Sequence, residues 1–349
     1  MKESIRNFLQ KEVDLKHIPG AVIQVAHKGE ILVEEAVGHK AVYPEKEEME
    51  LDTVFDLASV TKVVATLPAV LKLIDEGEVR LDDAVQHFLP EFSKNGKGSI
   101  TLRHLLTHTS GLTAHRPFHQ EKLTVDEILS KIYVEEKEVP VGSKVIYSDL
   151  GLITLYKIVE VVTGQEFSSF LKEQFYDPLE MVDTGFNPTF EKERYAATEY
   201  VENLGEYKRG IVHDENAEAM GGVSGHAGLF STVQDLGNFA EMIEQGGVYK
   251  GKRLLSEQAL RLSRKNFTSW DSAEYRGLGW QLKSPQFAPC GDYFSDLSYG
   301  HTGFTGTSIW FDPEVDLRVI LLTNRVHFGR EPHIIRLRPR LHNLIRKNF

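Results

Sequence analysis

The chain is poor in cysteine. Cys290 is the only one in 349 residues. No internal disulfide can form, and nothing in the composition calls for an oxidising compartment. Long apolar runs are missing too, so a membrane span is not expected. The N-terminal "MKESIRNFLQKEVDL" is charged throughout and lacks the apolar stretch of a signal peptide. The expectation is a cytoplasmic protein; a secreted or periplasmic chain whose leader had been removed would read the same. Basic excess is absent: the formal net charge is −11, which argues against a nucleic-acid partner. There is no G-x-S-x-G, so the nucleophile-elbow design of serine hydrolase lacks its motif. H-E-x-x-H is absent as well. The pairs His104/His108 and His115/His119 lie four apart, but with no cysteine nearby a zinc site is not favoured, and His108 reads as a hydrogen-bonded structural residue. No metal is expected.

What is present is an ordinary globular chain with 41% hydrophobic and 26% charged residues. Ile5, Phe8, Leu9 and Val13 share a helix face. "GAVIQVAHKGEILVEEAVG" reads as two strands around a turn at Lys28-Gly29. A helix starts near Ser59 and runs to the Gly77 region, with a kink expected at Pro68. From Leu81 to about Leu262 the pattern is mostly helical. Its clearest stretches are "TVDEILSKIYVEE", "LGLITLYKIVEVVTG" and "TVQDLGNFAEMIEQGG". The last third is β-rich, with Trp310 and Phe311 as strand core. A basic helix, "PHIIRLRPRLHNLIRKNF", closes the chain, its charges suiting a helix C-terminus and a solvated face. Strands at both ends with helices between them suggest one sheet built from both termini and a helical region facing it.

"FDLASVTKVVATLPAV" puts Ser59 at a helix start and Lys62 three residues on. Residues three apart share a helix face, and unpaired N–H groups there favour developing negative charge. A lone S-x-x-K means little, since Ser59 could simply cap the helix. Ser169 and Lys172 have the same spacing opposite the apolar Phe167, Phe170, Leu171 and Phe175, and read as surface. A free lysine with a pKa of about 10.4 is almost wholly protonated at neutral pH. To act as a base it must be brought to about 7–8, a cost of about 4 kcal/mol. A second proton carrier and a further cation are therefore sought. "VIYSDLG" supplies Tyr147 and Asp149 just before a helix. "YGHTGFTGTSIWFD" supplies His301, Thr302 and Gly303 on the way into a strand.

Three such elements in this order resemble the serine β-lactamase and penicillin-binding-protein family, whose pattern is S-x-x-K, then Y-x-N or S-x-N, then K-T-G. The tyrosine version is similar to the class C β-lactamase branch, with its related esterases, D-amino-acid peptidases and muropeptide amidases. "ITLRHLLTHTSGL" and "GGVSGHAGLFSTVQDLGNF" add to the likeness, which runs from about Pro19 to Asn324. It implies an α+β fold of β-lactamase/transpeptidase type. An antiparallel sheet would be flanked by the N- and C-terminal helices, with a mostly helical insertion and a cleft between them. The chain would be one catalytic unit, 1–349: an α/β part of 1–57 plus 272–349, and a helical part of 58–271.

The resemblance also implies roles. Ser59 would be the nucleophile that forms an acyl-enzyme, Lys62 would share its proton network, and Tyr147 would relay protons to the leaving group. The backbone N–H groups of Ser59 and Phe304 would form the oxyanion hole, each donor worth about 3 kcal/mol. His301, Thr302 and Gly303 would line the strand edge and orient substrate. No cofactor is implied. The chain departs from the pattern twice. His301 replaces a lysine and is only partly charged near neutral pH. Asp149 replaces an asparagine, cannot donate a hydrogen bond, and would repel the anionic group of a penicillin unless it turns away to cap the helix. "IVHDENAEAMGG", with His213, Asp214 and Asn216, resembles relatives linked to cell-wall fragments and reads either as a loop bordering the pocket or as plain loop structure. Gly221, Gly222, Gly225 and Gly228 suggest close backbone packing after it.

The expectation is a serine acyl hydrolase acting on an amide or ester. A small-molecule or peptidoglycan-fragment substrate leads, with a covalent adduct expected from β-lactams. A penicillin-binding D,D-peptidase or weak β-lactamase, a small carboxylesterase, and a relative that only binds ligand are the alternatives.

Overall fold

The computed structural model describes residues 1–271 and 273–349. Ser272, where the C-terminal α/β part was expected to begin, lies outside the described residues. Seven strands form the main sheet: β1 (Gly20–His27), β2 (Glu30–Ala41), β3 (Glu47–Glu48), β4 (Gln281–Leu282), β5 (Tyr299–Thr302), β6 (Ser308–Asp312) and β7 (Leu317–Thr323). Their order is β4-β5-β6-β7-β1-β2-β3, and every neighbouring pair is antiparallel. The two ends of the chain meet where β1 pairs with β7, Val22 opposite Leu322. Lys28 (φ 53°) and Gly29 (φ 81°) make the turn between β1 and β2. A two-residue turn with both φ positive matches the twist of the strands it joins.

Alternation along these strands decides what each face covers. Ala21, Ile23 and Val25 of β1 and Val319 and Leu321 of β7 pack with Ile5 and Leu9 of the N-terminal helix, α1 (Lys2–Asp14), and with Leu337, Leu341 and Ile345 of the last helix, His333–Arg346. Val22, Ile320 and Leu322 point the other way, into the large core shared with the helical region. Strands buried on both faces read as continuous apolar runs, which is why "AVIQVA" and "VILLT" stand out.

The expected helices of the central region are present as Val125–Val134, Asp149–Thr163 and Val233–Glu244. The segment after Ser59 is not one kinked helix. A 3₁₀ turn (Ala58–Val60) passes into a π turn (Lys62–Thr66) and then an α-helix (Leu67–Asp75). Pro68 has no N–H, and its ring would clash with the carbonyl four residues back in a regular helix. The wide π turn takes up that misfit, and Pro68 falls at the start of the α segment. Such turns recur at functional sites. Ser169 and Lys172 are exposed, with Phe167, Phe170, Leu171 and Phe175 buried behind them.

One small sheet has no sequence signal. Phe55–Asp56 and Gly185–Phe186 flank Leu229–Ser231. It ties the chain just before Ser59 to the segment that follows the glycines. Gly225 and Gly228 do make close backbone approaches, to the carbonyls of Leu152 and Gly222, and Gly222 packs against the Asn187 side chain, whereas Gly221 has open space around it and serves only a positive-φ turn. The basic last helix is not simply solvated: Arg338 is 6% exposed and donates to the carbonyls of Gly303 (3.0 Å) and Thr307 (2.9 Å).

Candidate active site

Ser59 sits half-buried on the 3₁₀ turn, one residue after Ala58, whose φ is +46°. A non-glycine residue there costs about 1–3 kcal/mol and persists only when its surroundings hold it. Asp56 does the holding. Its buried carboxylate accepts the Ala58 N–H at 2.8 Å and the His213 N–H at 2.6 Å. Burial pushes the Asp56 pKa up, against the pull of those two donors.

Lys62 is wholly buried. Its Nζ donates to Ser59 Oγ at 2.8 Å and to the His226 carbonyl at 3.0 Å, and lies 2.9 Å from Asp149 Oδ1. Burial alone would lower its pKa, but Asp149, with Tyr147 beside it, pulls harder and leaves it above the ordinary value. Lys62 is therefore an ammonium, not the lowered-pKa base the chemistry seemed to ask for. Asp149 answers in kind. Burial works to raise its pKa, and Lys62 and then His115 hold it well below the usual carboxylate range. His115 Nδ1 lies 3.8 Å from Asp149 Oδ2. Asp149 thus points at Lys62 and makes no side-chain cap on the helix it begins. The charge expected to repel anions is offset by these partners.

Tyr147 lines the same cavity as Ser59, His301, Thr302, Gly303, Phe304 and Arg276, a space of about 430 Å³. The Lys62 ammonium lies 4.8 Å from the centre of its ring, and the His108 ring lies 4.6 Å away. His108 Nδ1 accepts the Ser148 N–H at 3.0 Å, which anchors the Tyr147-Ser148 loop. Burial, with Arg276 and Lys62 nearby, pushes the His108 pKa far below its usual value, so the ring is neutral.

The loop after β5 is laced to the turn before Ser59. Thr305 donates to the Asp56 carbonyl at 2.8 Å, and Thr307 to the Leu57 carbonyl at 2.9 Å. A Cβ on Gly303 would stand 2.1 Å from Thr307 Oγ1 and 2.4 Å from the Leu57 carbonyl oxygen, so only glycine fits. Arg338 binds the carbonyls of Gly303 and Thr307, and Arg325 Nε donates to that of Phe304 at 2.8 Å. Among the described residues, neither the Ser59 N–H nor the Phe304 N–H has an acceptor elsewhere in the chain. β4 pairs only with Tyr299 and Gly300, so His301 and Thr302 form an open strand edge beside the cavity.

His301 does not supply a cation. Its Nδ1 is 2.9 Å from the Thr302 carbonyl, which can only accept, so that nitrogen carries the hydrogen. Burial, then Arg276 and Lys62, drive its pKa well below the ordinary value. Arg276, Arg325 and Arg338 bring cations to this cavity; Arg276 is 4% exposed, stacked 5.1 Å from the centre of the Tyr147 ring and paired with Glu274, which lines the cavity too. Its Nε and Nη1 have no partner among the described residues. Arg276 lies in no motif, and "AEYRGLGW" offers no signal that would have found it.

The "VHDENA" segment wraps the site from behind. Asp214 Oδ1 lies 2.8 Å from His226 Nε2, and the His226 carbonyl accepts from Lys62. The His213 ring stacks on Phe304 at 5.6 Å. Asn216 accepts the His119 N–H at 3.1 Å and donates to the Arg116 carbonyl at 2.7 Å. His104 accepts the Thr101 N–H at 3.1 Å in a capping box. Each of the four spaced histidines thus has a protein partner.

The profile of the beta-lactamase family matches residues 5–342. The chain belongs to the beta-lactamase family. It is accordingly an enzyme of a serine hydrolase family. It is 32% identical to the N-acetylmuramyl-L-alanine amidase of Bacillus subtilis (strain 168), covering 88% of this chain and 78% of that protein. It is 32% identical to an Escherichia coli (strain K12) protein provisionally named a D-alanyl-D-alanine carboxypeptidase, covering 92% and 81%. Two solved structures share its fold at lower identity. One is the octameric penicillin-binding protein homologue of Pyrococcus abyssi (21% identity, TM-score 0.76, covering 98% of this chain and 77% of that one). The other is a hydrolase with promiscuous acyltransferase activity (22%, TM-score 0.78, covering 97% and 98%). The α+β beta-lactamase fold expected from the sequence is the one observed. No helix among the described residues is long and apolar enough to cross a membrane.

Proposed function

We propose that the protein is a serine amidase that opens an amide in a peptidoglycan-derived fragment through an acyl-enzyme on Ser59. The Lys62 contact carries the reading. Its buried ammonium, pinned by Asp149 at 2.9 Å, donates to Ser59 Oγ at 2.8 Å and holds that oxygen at the cavity wall. A cation that donates cannot also take the serine proton. That task falls to Tyr147, which lines the same cavity as Ser59 with its ring centre 4.8 Å from the Lys62 ammonium, with Lys62 as its electrostatic support.

As Ser59 Oγ bonds to the substrate carbonyl carbon, its proton passes to the Tyr147 oxygen while the phenol's own proton passes on toward the amide nitrogen, so Tyr147 stays neutral. Negative charge gathers on the carbonyl oxygen, opposite the Ser59 and Phe304 N–H groups. The C–N bond then breaks, and the nitrogen leaves as an amine carrying the proton that Tyr147 relayed. Water attacks the resulting ester by the reverse route, releasing the acid and restoring Ser59.

For the substrate, Arg276 supports a group bearing a carboxylate. A buried guanidinium with two free nitrogens is satisfied best by an anion. That suits a muramoyl-peptide amide, in keeping with the amidase relative. It would equally suit the terminal carboxylate of a D-alanyl peptide, so carboxypeptidase is the second reading.

The test is a set of incubations on one preparation: a muramoyl-L-alanyl peptide, a D-alanyl-D-alanine peptide, a p-nitrophenyl ester and nitrocefin, with products read by mass spectrometry. Cleavage at the muramoyl-alanine bond is expected. Cleavage only at the D-alanyl bond would move the assignment to the second reading. Intact-protein mass after exposure to a fluorophosphonate should rise in the wild type and not in Ser59→Ala. An adduct that persists in the variant overturns the role of Ser59.

A further inference from the structure

We propose that Tyr43, Tyr200 and Tyr207 form a saccharide subsite that takes the sugar portion of the substrate. The proposal rests on the peptidoglycan reading above and extends it to a face that reading does not use.

Tyr43 and Tyr200 are 50% and 49% exposed, large apolar rings that contribute little to the core. Tyr200 and Tyr207 sit opposite each other on a two-stranded hairpin, Tyr200–Val201 with Glu206–Tyr207. Their rings are 5.2 Å apart at 68°, and Tyr43 lies 6.0 Å from Tyr207 at 16°. The three open onto a cavity of about 660 Å³. That lies within the range of small-molecule sites, about 300–1,000 Å³.

The chemistry around the rings selects among ligands. A pyranose offers a C–H face to an aromatic ring, and hydroxyls that both donate and accept. Rings with phenol tips, bordered by carboxylates and cations, meet both demands. Arg209 holds Glu47 by two bonds, 2.5 and 2.7 Å, and Lys192 pairs with Glu206. The cavity is lined by four acids (Glu45, Glu47, Glu193, Glu206) against two bases (Lys192, Arg209). That excess disfavours a phosphate-bearing polymer and suits a neutral amino sugar.

Two chains of contact lead from this face to the catalytic cleft, and both end on Phe304. The Tyr207 ring lies 4.4 Å from that of His327, and Arg325, two residues earlier, lies 4.7 Å from the centre of the Phe304 ring. Glu199, adjacent to Tyr200, binds Arg330 at 2.8 Å, and Arg330 lies 5.6 Å from the same ring centre. A substrate whose amide lies at Ser59 can thus extend its sugar over Phe304 toward the tyrosines.

The test uses the full-length protein and tri-N-acetylchitotriose, with binding followed by calorimetry or NMR. The wild type is expected to bind it, and Tyr43→Ala and Tyr200→Ala to weaken binding at least tenfold, while Tyr200→Phe keeps most of it. Both alanine variants should turn over a p-nitrophenyl ester at the wild-type rate, which shows that fold and catalytic centre are intact. Their KM for a muramoyl peptide should rise at least fivefold with kcat unchanged. No binding of the trisaccharide to the wild type, or equal binding by Tyr200→Ala, overturns the subsite. So does displacement of the trisaccharide to another face while a proline-rich peptide occupies this one. Binding is read at equilibrium and needs no turnover. Intact binding with no muramoyl-peptide cleavage would support the subsite and overturn the amidase assignment alone.

Discussion

Replacing Asp149 by asparagine removes the counter-ion of a fully buried ammonium. Lys62 and Asp149 lie 2.9 Å apart, and the other acceptors of Lys62 are a neutral hydroxyl and a neutral carbonyl. At an effective dielectric of about 20, two charges roughly 3 Å apart attract by about 5–6 kcal/mol. Breaking a buried pair from one side typically costs about 3–5 kcal/mol. For 349 residues, an unfolding entropy of about 2.1 cal/mol/K per residue makes that a Tm loss of about 4–7 °C.

The pH dependence makes the test specific. In the wild type the Asp149 pKa is lowered, so its contribution is present above the usual carboxylate range and lost only in strong acid. The Lys62 pKa is raised, so its contribution is present below about 10.4 and lost above that. Both hold across pH 6–9. In Asp149→Asn, burial acts on Lys62 with little opposition. The folded state then sheds a proton the unfolded chain keeps, and stability rises with pH. The gap in Tm to wild type should therefore narrow from pH 6 to pH 9 in thermal scans. A gap below 1 °C, or one that stays constant with pH, refutes the buried pair. Turnover gives a second readout. If Lys62 works as an ammonium, the variant loses activity at neutral pH. If it works as a neutral base, the variant gains.

Tyr147→Phe removes the phenol proposed to relay the proton and leaves the ring packed against His108 and Arg276; kcat/KM should fall at least a hundredfold while Tm stays within a few degrees, checked by steady-state kinetics and thermal scans. Arg338→Met takes away two charge-assisted bonds to the loop that carries the Phe304 N–H. It should cost about 2–5 kcal/mol in denaturant titration and lower kcat. Ser169→Ala should be silent in both assays, since that serine is exposed.

Much of the fold was legible because burial on both faces leaves unbroken apolar strands, and burial on one face leaves helical periodicity. Ser59, Lys62 and Tyr147 could be named because their motifs mark them; Ser59 and Tyr147 line one cavity, and the buried Lys62 donates to Ser59 from behind it. What could not be read depends on distant pairs. Nothing in "HTG" says that burial beside Arg276 leaves His301 neutral. Nothing in "YSD" says that Asp149 meets an ammonium from another segment. The turn at Ala58 relies on a carboxylate two residues earlier and on His213, 157 positions from Asp56. The π turn before Pro68 was missed because proline signals a misfit without saying how the chain absorbs it.

The two departures from the family pattern are better understood together than apart. Histidine for lysine at 301 removes a cation, and aspartate for asparagine at 149 adds an anion; read singly, both tell against an anionic substrate. In the folded protein Asp149 spends its charge on Lys62 and His115, and Arg276 brings a cation to the wall where His301 has none. On the proposed function, recognition of a carboxylate would move from β5 to the segment before β4. The consequence can be measured with benzylpenicillin, whose carboxylate should meet Arg276. Arg276→Gln should slow acylation of Ser59 about 10–100-fold, a loss of about 1.4–3 kcal/mol, and leave turnover of an uncharged ester nearly intact. His301→Asn should slow the penicillin and the uncharged ester alike, because a neutral ring can position a substrate without attracting its charge. If His301→Asn proves selective for the anion and Arg276→Gln does not, the cation lies where the family pattern puts it, and the reassignment to Arg276 fails.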